Sequence, residues 1–123
     1  MLKTNESAEN YLETILVLSQ KKPVVRGVDI AEELGFKKSS VSVAMKNLRE
    51  KEQIRVTPEG YIYLTDSGRA IAEMIYERHE FLTDWLVKLG VSEEIASEDA
   101  CRIEHVISSE SFEAIKRHIP SER

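Results

Sequence analysis

Cys101, Glu104 and His105 place a thiol, a carboxylate and an imidazole at i, i+3 and i+4. The stretch from Glu93 to Ile107 reads as one helix, with Ser92 as its N-cap. At about 100° per residue, Cys101 and His105 lie roughly 40° apart around that helix, and Cys101 and Glu104 roughly 60° apart. The apolar residues Ala96, Ala100, Ile103 and Ile107 gather on a different side, so the three donors are expected to converge away from the core stripe. Sulfur, oxygen and nitrogen donors together suit a first-row divalent metal, and thiolate with imidazole leans away from calcium and magnesium. The plainer reading is a small buried thiol beside a solvated Glu–His pair. Donors elsewhere in the chain must decide between the two.

Two further sets exist. The long segment after Thr65 carries Ile71, Ile75, Leu82, Leu86 and Leu89 as one apolar stripe, with His79 on the same face. A lone histidine there is more often a satisfied core residue than a ligand, but here it is not the sole donor. Asn10 and Glu13 lie at i, i+3 on the first helix and would join the others if that helix packs against the long one. Three helices would then supply Asn10, Glu13, His79, Cys101, Glu104 and His105.

The elements that must position these groups read as follows. Residues 6–20 form an amphipathic helix with Tyr11, Leu12, Ile15 and Leu18 inward and Ser7 near its start; Lys21-Lys22-Pro23 ends it. A short helix spans Val28 to Leu34 and stops at Gly35 as its C′ residue. Lys37 and Lys38 precede a third helix running to about Glu52, with Val41, Met45 and Leu48 at helical spacing. Helix, glycine-containing turn, helix is the helix-turn-helix spacing. Two β-rich segments, Gln53–Thr57 and Tyr61–Leu64, flank Pro58-Glu59-Gly60 and read as a hairpin, which makes a winged helix. Thr65 caps the long helix to about Leu89, and Ser109–Ile119 closes the chain as a shorter one.

Composition is that of a globular protein, 41% hydrophobic and 32% charged over 123 residues. One cysteine excludes an internal disulfide framework and fits a reducing cytosol. No run approaches a membrane span and the N-terminus lacks a signal-peptide core, so a cytoplasmic protein with no membrane partner is expected. The net charge of −5 is unevenly spread. Residues 21–55 carry nine Lys/Arg against five Asp/Glu, and residues 56–123 carry seven against fourteen. A basic face joined to an acidic half suggests nucleic acid for the first part. Ser39, Ser40 and Ser42 open the third helix, small enough to approach a major groove, while Arg26, Lys37, Lys38 and Lys46 would meet phosphates.

Over nearly its whole length the chain resembles the diphtheria-toxin-repressor family of metal-dependent transcriptional regulators. The matching stretches are Glu9-Asn10-Tyr11-Leu12-Glu13-Thr14-Ile15, Asp29-Ile30-Ala31-Glu32, Ser39-Ser40-Val41-Ser42, Leu64-Thr65-Asp66-Ser67-Gly68, Arg78-His79 and Asp99-Ala100-Cys101-Arg102-Ile103-Glu104-His105-Val106. The resemblance implies a mostly α fold: a winged helix-turn-helix over residues 1–66 and a helical metal-binding and dimerisation domain over residues 67–123. It resembles the short members that lack an SH3-like domain. The family's metal ligands fall on Asn10, Glu13, His79, Cys101, Glu104 and His105. Asn10 stands where relatives carry methionine or aspartate. Glu13 resembles the manganese-type members and Cys101 the iron-type ones. Thr83 and Ser97 occupy positions where iron-type members have a carboxylate and a histidine, and Val43 stands where some place a base-reading glutamine.

These implications define the expected function: a non-enzymatic, Fe²⁺- or Mn²⁺-activated homodimeric repressor of metal-uptake genes on double-stranded palindromic operator DNA. A winged-helix protein-interaction module with inert donors is the alternative. A metallo-hydrolase is a weaker one, since no nucleophile motif or phosphate loop is present.

Overall fold

The computed structural model describes the chain from Leu2 to His118, with side chains described from Ala8 onward. The described residues form α1 (Leu2–Lys21), α2 (Gly27–Leu34), α3 (Lys38–Glu50), β1 (Ile54–Val56), β2 (Ile62–Leu64), α4 (Asp66–Lys88), α5 (Glu93–Val106) and α6 (Ser109–His118). They divide into two compact units, Lys3–Tyr76 and the residues from Glu77 on, with the boundary inside α4.

In the first unit α1 buries Tyr11, Leu12, Ile15 and Leu18, the four inward positions that the spacing predicts. It begins at Leu2 rather than beside Ser7, whose side chain lies outside the described residues. The bond from Lys22 N–H to Leu18 O closes the last turn, and Pro23, with no N–H to offer, cannot extend it. Gly35 follows α2 in the left-handed region (φ 70°), where its N–H donates to Ala31 O at 2.8 Å. A side chain with a Cβ is strained in that conformation, and the turn depends on it. Val41, Met45 and Leu48 anchor α3 in the core at i, i+4 and i+7.

β1 and β2 pair antiparallel with Ile54 opposite Leu64, Arg55 opposite Tyr63 and Val56 opposite Ile62. Ile54, Ile62 and Leu64 are buried while Arg55 and Tyr63 face solvent, the alternation a half-buried hairpin requires. Thr57 closes the turn: its N–H donates to Tyr61 O at 2.9 Å and its hydroxyl accepts from Tyr61 N–H at 3.1 Å. The hairpin is tied to the start of α2 by Ile62 N–H donating to Val25 O at 2.8 Å. Thr65 caps α4 as expected, accepting from Gly68 N–H at 3.2 Å. A Cβ at position 68 would lie 1.9 Å from Gln53 O, so the close approach of α4 to the chain before β1 requires Gly68.

The second unit packs Leu82, Ala100 and Phe112 together, with Phe81, Trp85, Ile103 and Ile107 against them. Ser92 caps α5 through Ile95 N–H at 3.4 Å, and Ser108 caps α6 through Ser111 N–H at 3.0 Å. Leu89 departs from the predicted apolar stripe and is 65% exposed. The cause is local: α4 stops at Lys88, and Gly90 (φ 109°) turns the chain before another helical turn could carry Leu89 inward. Ile119, the expected end of the last helix, lies outside the described residues. No helix among the described residues is long and apolar enough to cross a membrane.

Candidate metal centre and nucleic-acid face

α4 and α5 bring four of the expected donors together within the second unit. Glu104 is fully buried, and His79 Nδ1 meets its Oε1 at 2.9 Å while His105 Nε2 meets its Oε2 at 3.2 Å. Cys101, Glu104 and His105 each offer a donor atom within 4.8 Å of the other two. The imidazole of His105 is only 4% exposed, whereas Cys101 is open to solvent. Ser97 Oγ lies 3.4 Å from His79 Nε2, so the position where iron-type relatives carry a histidine still reaches this site.

One expectation is overturned. Glu104 is not off the core side of α5: it completes the buried row Ala96, Ala100, Glu104 at i, i+4 and i+8. Each step of four residues turns only about 40°, so Glu104 follows the two alanines inward. Two small residues ahead of it leave room for a carboxylate that an apolar stripe would have displaced.

The electrostatics are those of a carboxylate held by imidazoles. The hydrogen bond to Glu104 raises the pKa of His79 above its ordinary 6.5; burial opposes this, and the charges of Glu104 and Glu80 add to it. Glu104 Oε2, in contrast, lies 3.2 Å from His105 Nε2 but accepts no well-directed hydrogen bond among the described residues. A buried carboxylate oxygen without a donor is unfavourable, and a cation is the usual remedy. The separations of 2.9 and 3.2 Å resemble the ~3 Å between adjacent donors around an ion with bonds of ~2.1 Å. Thiol, carboxylate and imidazole are donor types suited to Fe²⁺ or Mn²⁺. The residues present therefore fit a divalent transition metal.

Asn10 and Glu13 belong to the first unit, where they share one face of α1. Glu13 is buried and Asn10 half-buried, and Thr14 Oγ1 donates to Asn10 O at 2.8 Å.

The nucleic-acid face also lies in the first unit. Lys37, Lys38, Ser39, Ser40, Ser42 and Lys46 are all exposed on α3 or just before it. α3 starts one residue earlier than the sequence suggests, with Lys38 inside its first turn and Lys37 as an N-cap that makes no side-chain cap bond. The first-turn amides of α3 therefore receive no capping oxygen from that residue, which suits them to a phosphate. Between α3 and the hairpin runs an open groove of about 470 Å³, lined by Lys38, Ser42, Val43, Lys46 and Arg49 on one side and Val56, Gly60 and Ile62 on the other. Arg26 is exposed beside it, 5.0 Å above the Tyr61 ring and donating to Tyr61 Oη at 3.3 Å. Its main-chain N–H donates to Asp29 Oδ2 at 2.9 Å.

Sequence reasoning missed Arg49 and Tyr61, although Arg49 sits three residues beyond Lys46 on the same helical face. It also missed the buried Arg78, which donates to Glu104 O at 3.1 Å and which no periodicity could have shown.

Profiles of two domains match the chain: the iron-dependent repressor N-terminal DNA-binding domain over residues 3–61, and the iron-dependent repressor metal-binding and dimerisation domain over residues 65–120. The chain belongs to the iron-dependent repressor family. This repressor-family chain is 34% identical over 111 residues to the transcriptional regulator MntR of Escherichia coli O6:H1, spanning 90% of its own length and 72% of that protein. It is 33% identical over 114 residues to an HTH-type transcriptional regulator of Methanocaldococcus jannaschii, spanning 91% of each. Its fold matches a solved manganese-dependent transcriptional repressor in complex with manganese at a TM-score of 0.82 and 28% identity, covering 90% of this chain and 51% of that one. The repressor-family chain thus spans about half the length of that solved relative. Its mostly helical fold, an N-terminal DNA-binding domain followed by a metal-binding and dimerisation domain, is that of the family.

Proposed function

We propose that this protein is a sequence-specific DNA-binding regulator activated by Fe²⁺ or Mn²⁺, acting as a homodimeric repressor of metal-uptake genes at palindromic operators. One observation carries the reading: the same chain joins an exposed cationic helix to a buried carboxylate, Glu104, gripped by two imidazoles beside a thiol. Residues 1–66 would read DNA and residues 67–123 would bind metal and dimerise.

In this reading Asn10, Glu13, His79, Cys101, Glu104 and His105 hold the ion. The ion supplies positive charge that allows carboxylates and a thiolate to share one site. Glu104 would provide the central anion, His79 and His105 would bind through neutral imidazole nitrogens, and Cys101 would bind as thiolate. Asn10 contributes a neutral amide oxygen. Donors drawn from α1 as well as α4 and α5 favour whichever arrangement satisfies all of them, so metal shifts the population by its differential affinity for that state. Lys37, Lys38 and Lys46 then meet phosphates, with Arg26 steadied by Tyr61, while Ser39, Ser40 and Ser42 lie at the groove edge. Val43 is 61% exposed among these polar groups and offers an apolar surface of the kind that meets a thymine methyl.

The test is selection of binding duplexes from a random-sequence pool with Mn²⁺, or with Fe²⁺ under anaerobic conditions, followed by affinity measurements with and without metal. Metal-stimulated binding to a selected sequence supports the reading. A selected sequence bound equally well without metal overturns metal activation, and a pool that yields no preferred sequence overturns the DNA reading.

A further inference from the structure

Arg78 is 6% exposed, and an arginine is rarely buried unless several partners hold it. Its partners lie at the junction of α5 and α6. Nη1 donates to Glu104 O and to Ile107 O at 3.1 Å each, Nη2 donates to Ser109 Oγ at 2.9 Å, and the guanidinium carbon lies 5.3 Å from the centre of the Phe112 ring. The last carbonyls of a helix have no partner within it, so α5 would otherwise leave these oxygens unsatisfied in a buried setting. A cation there also meets the negative end of the α5 dipole.

An ordinary helix cap could hold any carbonyl of that last turn. One of the two held here belongs to Glu104, whose carboxylate is held by the next residue of α4, His79, at 2.9 Å. We propose that Arg78 is a positioning residue of the metal centre: consecutive residues of α4 hold the main chain and the carboxylate of Glu104, and so fix where that carboxylate presents itself to a metal. A glutamate side chain has several rotatable bonds, and anchoring both of its ends leaves few rotamers open. Preorganised donors bind metal more tightly, and partners beyond the ligands typically account for about 10- to 100-fold in affinity. The guanidinium fork also reaches Ser109 and Phe112, so the placement of Glu104 depends on α6 being docked. Lysine, a single point charge, can satisfy only part of this set.

The inference rests on the metal-centre reading above, and Co²⁺ alone is the probe. Its visible d–d bands report coordination geometry, and a near-ultraviolet thiolate band reports Cys101. Arg78→Met should weaken Co²⁺ binding by about 10- to 100-fold and alter the d–d intensity, and Arg78→Lys should recover part of both. Phe81→Leu is the control. It loosens the edge-on contact with Phe112 (centroids 5.6 Å apart) but leaves every hydrogen-bond partner of the guanidinium in place, so it should lower the thermal midpoint of the metal-free protein while changing Co²⁺ affinity and spectrum far less than Arg78→Met does. If Arg78→Met does not fold, Arg78→Lys carries the comparison. Wild-type affinity and spectrum in the Arg78 variants would overturn the proposal. So would a loss of Co²⁺ affinity that simply tracks thermal stability across the arginine and phenylalanine variants. Failure of the wild-type protein to bind Co²⁺ at all would instead overturn the metal-centre reading itself, and this inference with it.

Discussion

Along α3 the cations Lys37, Lys38 and Lys46 stand in solvent, whereas Glu104 in the second unit is fully buried between two imidazoles at 2.9 and 3.2 Å. The difference sets how each region responds to change. Exposed charges are already solvated and screened, so each contributes a modest share and losing one removes that share. A buried carboxylate has no water to fall back on and depends on the few groups around it. Damage should therefore be graded on the DNA face and close to all-or-none at the metal centre.

The largest effect should come from removing a proposed metal donor. Glu104→Gln or His105→Ala should lower metal affinity by more than about a hundredfold, beyond the range typical of residues that only support ligands, and should abolish metal-dependent DNA binding. Far-ultraviolet circular dichroism should still report the helical fold. Metal-stimulated binding undiminished in both variants would erase the distinction between the two regions.

Acidity should act next most strongly, with opposite signs on stability and on metal binding. Because the folded-state pKa of His79 is raised above 6.5, its pairing with Glu104 stabilises the metal-free protein fully below 6.5. That contribution is lost as pH rises through the raised value. In the proposed centre metal has to displace the same proton, so affinity should climb over this window by up to about tenfold per pH unit for that proton, and the His79 share of the rise should level off above it. Metal titrations and thermal unfolding from pH 6 to pH 9 check both signs, and His79→Gln should flatten the stability trend.

Exposure makes Cys101 the most replaceable donor. Cys101→Glu should keep the helical fold but lower the thermal midpoint of the metal-free protein, because it sets a second carboxylate near Glu104. It should nonetheless move the activation preference from Fe²⁺ toward Mn²⁺ by hardening the donor. Unchanged activation curves for both ions would show that selectivity is set elsewhere.

On the DNA face, Lys38→Ala should weaken binding to all sequences alike and reduce the salt slope by about one unit, while metal affinity of the free protein stays the same. A Lys38→Ala protein with the same slope would place the phosphates elsewhere. The smallest effect should be at Val43. Replacing the contacted thymine by deoxyuridine in a selected duplex removes one methyl, worth about 0.8 kcal/mol or roughly fourfold, and Val43→Ala should make the protein less sensitive to that replacement. If no thymine position shows this, Val43 faces no base.

Some of this protein could be read directly from its residues, because the determinants are local. Gly35 needed only its left-handed turn, Thr65 and Ser92 only the amides three residues on, and Val41, Met45 and Leu48 only helical spacing. The exposed lysines and serines of α3 followed from that same spacing, since residues off the buried stripe face water. The relation of Cys101, Glu104 and His105 to one another was equally local, being set by the pitch of α5. Which of them turned inward was not. Glu104 is buried because Ala96 and Ala100 lie in line with it and because His79, 25 residues away, presents its Nδ1 at 2.9 Å. Leu89 is exposed because α4 ends one residue before it. Arg78, the group that ties α4 to the end of α5 and to α6, carried no periodic signal, because its partners are main-chain carbonyls and a ring brought near only by packing. Helical pitch and capping act within a few residues and are written in the sequence. Burial of a charge is decided by partners distant along the chain, and only the tertiary structure supplies them.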